Sequence, residues 1–147
     1  MNERLINGSC HCGNINYELA WPAEEFPITT RECSCSFCQK HGATYTSHPQ
    51  SRLSLQVKDQ EKLNRYRFGH ETADFIFCGQ CGGLICAISR IDDHDYAVIN
   101  VNNFNNVTAE ELVHSVTNFD AESIEVRLGR QKKLNARNYL CRRLSEG

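Results

Sequence analysis

The chain has 147 residues, 40% of them hydrophobic and 23% charged, with a formal net charge of −2. That length suits one domain with a real core rather than two ordinary ones. The near-neutral balance excludes a chain-wide pull toward nucleic acid or a membrane surface. MNERLINGSC at the start has no apolar signal-like region and no run approaches a membrane span, so a cytoplasmic location is expected.

In chain order, the first landmark is GSCHCGN, where Cys10 and Cys12 flank His11 at an expected hairpin tip, followed by a strand over residues 14–19. CSCSFCQKHG, residues 33–42, then brings Cys33, Cys35, Cys38, Lys40 and His41 into ten positions. Short runs rich in β-branched and aromatic residues follow at 43–47, 53–57, 63–68, 74–77, 84–89 and 96–101, most of them separated by turn-forming residues. Within this series, FCGQCGG places Cys78 and Cys81 in the form of a zinc knuckle. Helical signals come late. Thr108-Ala109-Glu110-Glu111 has the form of a capping box, and a second helix is expected over 134–144. The pattern predicts a mainly β, antiparallel single domain over 1–147, with the cysteines mostly on turns and one or two short helices in an extension from about 108 to 147.

Charge is concentrated at the end. Seven Lys or Arg and no acid lie between Arg127 and Arg143, leaving −9 on the remainder. A solvated face is the expectation for that segment, and the acidic remainder argues against a nucleic-acid partner.

Nine cysteines, Cys10, Cys12, Cys33, Cys35, Cys38, Cys78, Cys81, Cys86 and Cys141, exceed what packing requires. Their number is odd, and without a secretory signal a disulfide framework is disfavoured, so the clusters point to metal. Zinc takes four ligands, and C-x-C and C-x-x-C can each deliver two from one tight turn. Cys10, Cys12, Cys78 and Cys81 therefore form the natural closed, structural site, for zinc or less readily an iron–sulfur cluster. Cys33, Cys35 and Cys38 supply three ligands. Their fourth could be Cys86, Cys141, His41 or a carboxylate, which closes the site, or an exchangeable position, which makes it catalytic. Spacing alone leaves both open. A thioredoxin-type reading of Cys35-Ser36-Phe37-Cys38 lacks the βαβ pattern around it. Three thiolates on Zn²⁺ leave a net charge of −1, which disfavours making hydroxide from water and favours a thiol as the fourth ligand.

The segments GSCHCGNINYEL, CSCSFCQKHGA, LNRYRF and FCGQCGGLI, in that order over about residues 8–101, resemble the glutathione-dependent formaldehyde-activating enzymes, which group with centromere protein V in the Mss4-like fold. The resemblance implies a mainly β Mss4-like zinc-binding fold of short antiparallel sheets with two zinc ions per chain. It implies a structural zinc at Cys10, Cys12, Cys78 and Cys81, and a catalytic zinc with an open position at Cys33, Cys35 and Cys38. It further implies a carbon–sulfur lyase of the S-(hydroxymethyl)glutathione synthase type, joining glutathione or another thiol to a small aldehyde. Glutathione has two carboxylates, so cations are expected near the site; Arg31 and Lys40 flank the cluster, and Arg65 and Arg67 lie on an expected strand. His41 is a candidate proton shuttle or ligand. The sequence departs from the family pattern at Ser34, where His is frequent, at Gly83, where Thr or Ser is frequent, and after Val101. The competing reading is a non-catalytic binding module on the same fold with two structural zincs.

Overall fold

A computed structural model describes residues 2–33, 35–68, 73–117 and 137–143. The described strands are β1 (Glu3–Ser9), β2 (Ile15–Pro22), β3 (Ile28–Cys33), β4 (Thr44–Thr46), β5 (Arg52–Val57), β6 (Leu63–Tyr66), β7 (Asp74–Cys78), β8 (Leu84–Ile91), β9 (His94–Asn100), β10 (Leu112–Thr117) and β11 (Arg137–Arg143), with one short helix, α1 (Ser36–His41). They form a four-stranded sheet in the order β1-β2-β5-β11 and a seven-stranded sheet in the order β10-β3-β4-β9-β8-β7-β6.

Side-chain alternation explains how the smaller sheet faces the larger. Ile15, Tyr17, Leu19 and Trp21 on β2, and Leu53, Leu55 and Val57 on β5, are buried at every second position. They pack into one core with Ile76, Ile85, Ile88, Ala97 and Ile99 from β7, β8 and β9. β8 lies inside the larger sheet and is buried at six consecutive positions from Leu84 to Ser89, as a strand covered on both faces requires. The expected mainly β architecture is therefore the one observed, and each expected strand is found.

Four features differ from expectation. Most pairings are antiparallel, but β10 pairs with β3 and β11 with β5 in parallel; long intervening segments bring each strand back in the same direction. Residues 137–143, expected within a helix, form β11, because the edge of β5 offers ladder hydrogen bonds that outweigh helical spacing. The middle cysteine cluster, expected on a turn, contains α1. The capping box is present, with the Glu111 carboxylate accepting from the Thr108 N–H at 3.0 Å, but it opens only a 3₁₀ turn before β10. Ser34 and the basic segment from 127 to 136 lie outside the described residues. No described helix is long and apolar enough to cross a membrane.

Gly8 controls the approach of β1 to β2. It pairs with Tyr17, and a Cβ at Gly8 would lie 2.1 Å from Tyr17 Cζ. Tyr17 is 3% exposed, so its ring would have to displace packed neighbours to yield. Gly8→Ala is expected to lower unfolding free energy by about 2 kcal/mol, the usual cost of overpacking, measured by urea denaturation; an unchanged midpoint would show that the ring moves freely.

Candidate metal centre

Two turns at the ends of different sheets bring four thiols together. Cys10 and Cys12 lie on the β1–β2 turn, where the Gly13 N–H donates to the Cys10 carbonyl at 3.1 Å and Gly13 adopts φ 81°. Cys78 and Cys81 lie on the β7–β8 turn, closed by the Gly82 N–H donating to the Cys78 carbonyl at 2.8 Å. The two tips meet closely: a Cβ on Gly83 would sit 3.1 Å from Cys10 Cβ, so the bare glycine leaves the space that this approach uses. All four Sγ atoms lie within 4.8 Å of one another, with Cys10–Cys12 at 3.7 Å and Cys12–Cys78 at 3.5 Å. Four sulfurs at the usual zinc distance would have tetrahedron edges of about 3.8 Å. The N–H of Ile15 donates to Cys10 Sγ and that of Gln80 to Cys78 Sγ, each at 3.3 Å, the oriented support that ligating thiolates need.

The charge state of the bare thiols also fits a cation. Burial, opposed by the Ile15 amide, pushes the Cys10 thiol up to about 12. Against its own burial, Cys81 falls to about 6 because the amides of Cys12 and Gly83 and the neighbouring thiols donate to it. One thiolate is thus favoured while its buried neighbour keeps its proton, an arrangement that a divalent cation would convert to four thiolates.

The second group is built on one strand end and one helix. Cys33 closes β3, Cys35 is the N-cap of α1, and Cys38 is its buried residue. Cys35 Sγ accepts from the Cys38 N–H at 3.5 Å, and Gly42, at φ 64°, ends the helix in the left-handed conformation. The three Sγ atoms lie within 4.8 Å of one another, and among the described residues no His, Asp, Glu or fourth Cys completes the group. Cys35 and Cys38 are buried, whereas Cys33 is half-buried and forms its accessible side. Hydrogen bonding with Cys33, then burial, pushes the Cys38 thiol above its ordinary range; burial does the same for Cys35. Tyr45, on β4, places its hydroxyl 3.3 Å from Cys38 Sγ while only 5% exposed. As a thiolate, Cys38 would accept that hydrogen bond. Tyr45→Phe is therefore expected to weaken metal binding at this group about tenfold and leave the four-cysteine group as an internal reference; competition with a chromophoric chelator measures both.

Residues 5–122 match the protein family described as glutathione-dependent formaldehyde-activating enzyme. The chain belongs to that family. It is also similar to a crystal structure of a Rhodobacter sphaeroides protein, at 28% identity and a TM-score of 0.54, covering 74% of this chain and 99% of that one. As a formaldehyde-activating family member, the chain carries two cysteine groups able to hold metal ions, and the residues of both fit that role.

The remaining candidates fall in different places. Lys40 and His41 are exposed in the last turn of α1, where His41 Nδ1 lies 3.0 Å from the Phe37 carbonyl; His41 is outside the ligand group. Arg31, on β3, donates to Ser47 Oγ at 2.8 Å. Cys86 is fully buried in the main core on β8, outside both groups. Cys141 is on β11, in register with Leu55 in the four-stranded sheet, whereas Cys33 belongs to the other sheet. His11 is exposed between Cys10 and Cys12. Tyr45 and Phe37, expected from the sequence as core or pocket wall, do line the three-cysteine group, whereas the sequence reading assigned nothing to Phe68, Phe75 and Phe77 beside them. The available signal was Tyr66 and Phe68 at i, i+2 on an expected strand.

Proposed function

We propose that the protein is a zinc-dependent enzyme that reversibly joins a thiol to an aldehyde at Cys33, Cys35 and Cys38, while Cys10, Cys12, Cys78 and Cys81 hold a structural zinc. The observation that carries this reading is the contrast, among the described residues, between a set of four thiols and a set of three with one half-buried member. Cys33, Cys35 and Cys38 would hold the zinc, which would supply a thiophilic Lewis acid that favours the thiolate form of an incoming thiol at one further position. The chain's own residues fix that position: α1 and the end of β3 set the three sulfurs, and Tyr45 holds Cys38. The thiol sulfur attacks the aldehyde carbon; a C–S bond forms, and the C=O π pair moves to oxygen. That oxygen takes up the proton the thiol released, so the hemithioacetal contains every atom of both reactants. His41, exposed at the end of α1, is the assigned proton carrier, and Lys40 beside it offers a cation to a carboxylate on the thiol. Arg31, on the strand leading to Cys33 and bonded to Ser47, is the second cation offered to the thiol's carboxylates in this reading.

Family membership makes glutathione and formaldehyde the first pair to test. Exchange spectroscopy by NMR on formaldehyde, glutathione and their adduct should show faster interconversion with the zinc-loaded protein than without it. Rates equal to background would reject formaldehyde with glutathione as the substrate pair.

A further inference from the structure

The three-cysteine group has an aromatic margin. Phe37, Phe68, Phe75 and Phe77 are half-buried and pack on the cluster formed by Cys35, Cys38, Tyr45 and Leu84. Phe37 lies between two of the ligands in sequence and at the centre of the rings: its centroid is 4.6 Å from Phe75, 5.0 Å from Phe68 and 5.4 Å from Tyr66. Tyr66 and Phe68 stack at 5.5 Å and 24°. Tyr66 ends the outermost strand of the larger sheet and is 47% exposed. The two cations that alternate with these rings are turned to a shared partner: Arg67 Nε is 2.5 Å and Arg65 Nη1 3.6 Å from the carboxylate of Asp74. Asp74 holds both guanidinium groups and offsets one of their two charges, while the rings between and beside them pack toward the three-cysteine group.

Resting on the thiol–aldehyde reading above, we propose that the preferred substrate carries an aromatic ring, which stacks on the Phe37–Tyr66–Phe68 surface while its sulfur occupies the position beside Cys33, Cys35 and Cys38. Formaldehyde has nothing to place on such a surface. An aromatic ring would gain the offset or edge contacts that aromatic pairs favour. The ring can arrive on the thiol or on the aldehyde, because in the hemithioacetal both substituents lie within two bonds of the sulfur.

The test uses protein loaded with cobalt, whose sulfur charge-transfer absorption reports an added thiolate. Benzyl mercaptan and 2-mercaptoethanol are titrated against wild type, Tyr66→Ala and Tyr66→Phe. In parallel, NMR exchange compares benzaldehyde with acetaldehyde, each with 2-mercaptoethanol, in the zinc-loaded forms. The ratio of affinities or rates, aromatic over small, is expected to fall about fivefold in Tyr66→Ala, the loss of one ring–ring contact, and to be kept in Tyr66→Phe. A fall in the titration arm assigns the ring to the thiol, and a fall in the exchange arm to the aldehyde. Thiol binding with ratios that do not change in Tyr66→Ala in either arm overturns the aromatic assignment and leaves the thiol site standing. Failure of both thiols to alter the cobalt spectrum overturns the open-site reading, and the aromatic proposal with it.

Discussion

Cys78→Ser, or removal of metal by a chelator, is expected to abolish the cooperative fold. The four thiols join the β1–β2 tip of one sheet to the β7–β8 tip of the other, so losing the metal uncouples two sheets that share one core. Cys12 and Cys78 are 66 residues apart in sequence. Clamping so long a loop costs roughly 2 kcal/mol more in chain entropy than clamping the five-residue span from Cys33 to Cys38. Without metal, that ordering cost and the burial of unpaired thiols remain, with nothing to offset them. Structural zinc contributes on the order of 10 kcal/mol in small domains, as much as the whole stability of a typical domain. Circular dichroism during thermal unfolding, with metal content measured on the same sample, checks the result. A Cys78→Ser protein that still melts cooperatively within a few degrees of wild type would show that packing alone holds the sheets.

The larger part of this arrangement was legible in the sequence because its signals were local. Runs of β-branched and aromatic residues between turn-forming residues marked β2, β5 and β8, and C-x-C and C-x-x-C marked the two cysteine pairs. The chemistry of thiols then suggested which pairs belong together. What escaped depended on partners distant in sequence. β3 and β10 are neighbours through parallel pairing of residues about eighty positions apart, and nothing in ITTREC or LVHSVT names the other. Residues 137–143 had an apparent helical spacing and became a strand because β5 had an edge to fill. α1 was missed although its signals were present: two basic residues in the last turn followed by Gly42. The cysteines drew attention to ligation and away from capping, yet Cys35 serves both purposes, accepting the Cys38 N–H through the sulfur that belongs to the ligand group.

That double duty makes Cys35→Ser the sharpest test of the three-cysteine site. Serine is among the best N-cap residues, so its hydroxyl can still accept the Cys38 N–H and α1 should persist. What it removes is a soft sulfur ligand, for which a hydroxyl is a poor substitute at zinc. Loss of a group that merely orients a ligand costs 10–100-fold in metal affinity, so loss of the ligand itself should exceed about 100-fold. Metal content is then expected to fall from two ions per chain to one, thiol–aldehyde exchange to background, and the melting temperature by only a few degrees. The last expectation follows from topology: Cys33, Cys35 and Cys38 span one strand end and one short helix and tie no two sheets together. A Cys35→Ser protein that keeps two metals and full exchange would place the chemistry elsewhere. One that unfolds as readily as Cys78→Ser would make both metals structural and favour the binding-module reading. The pair of variants, each changing one sulfur to oxygen, thus separates the metal that holds the fold from the metal proposed to work on it.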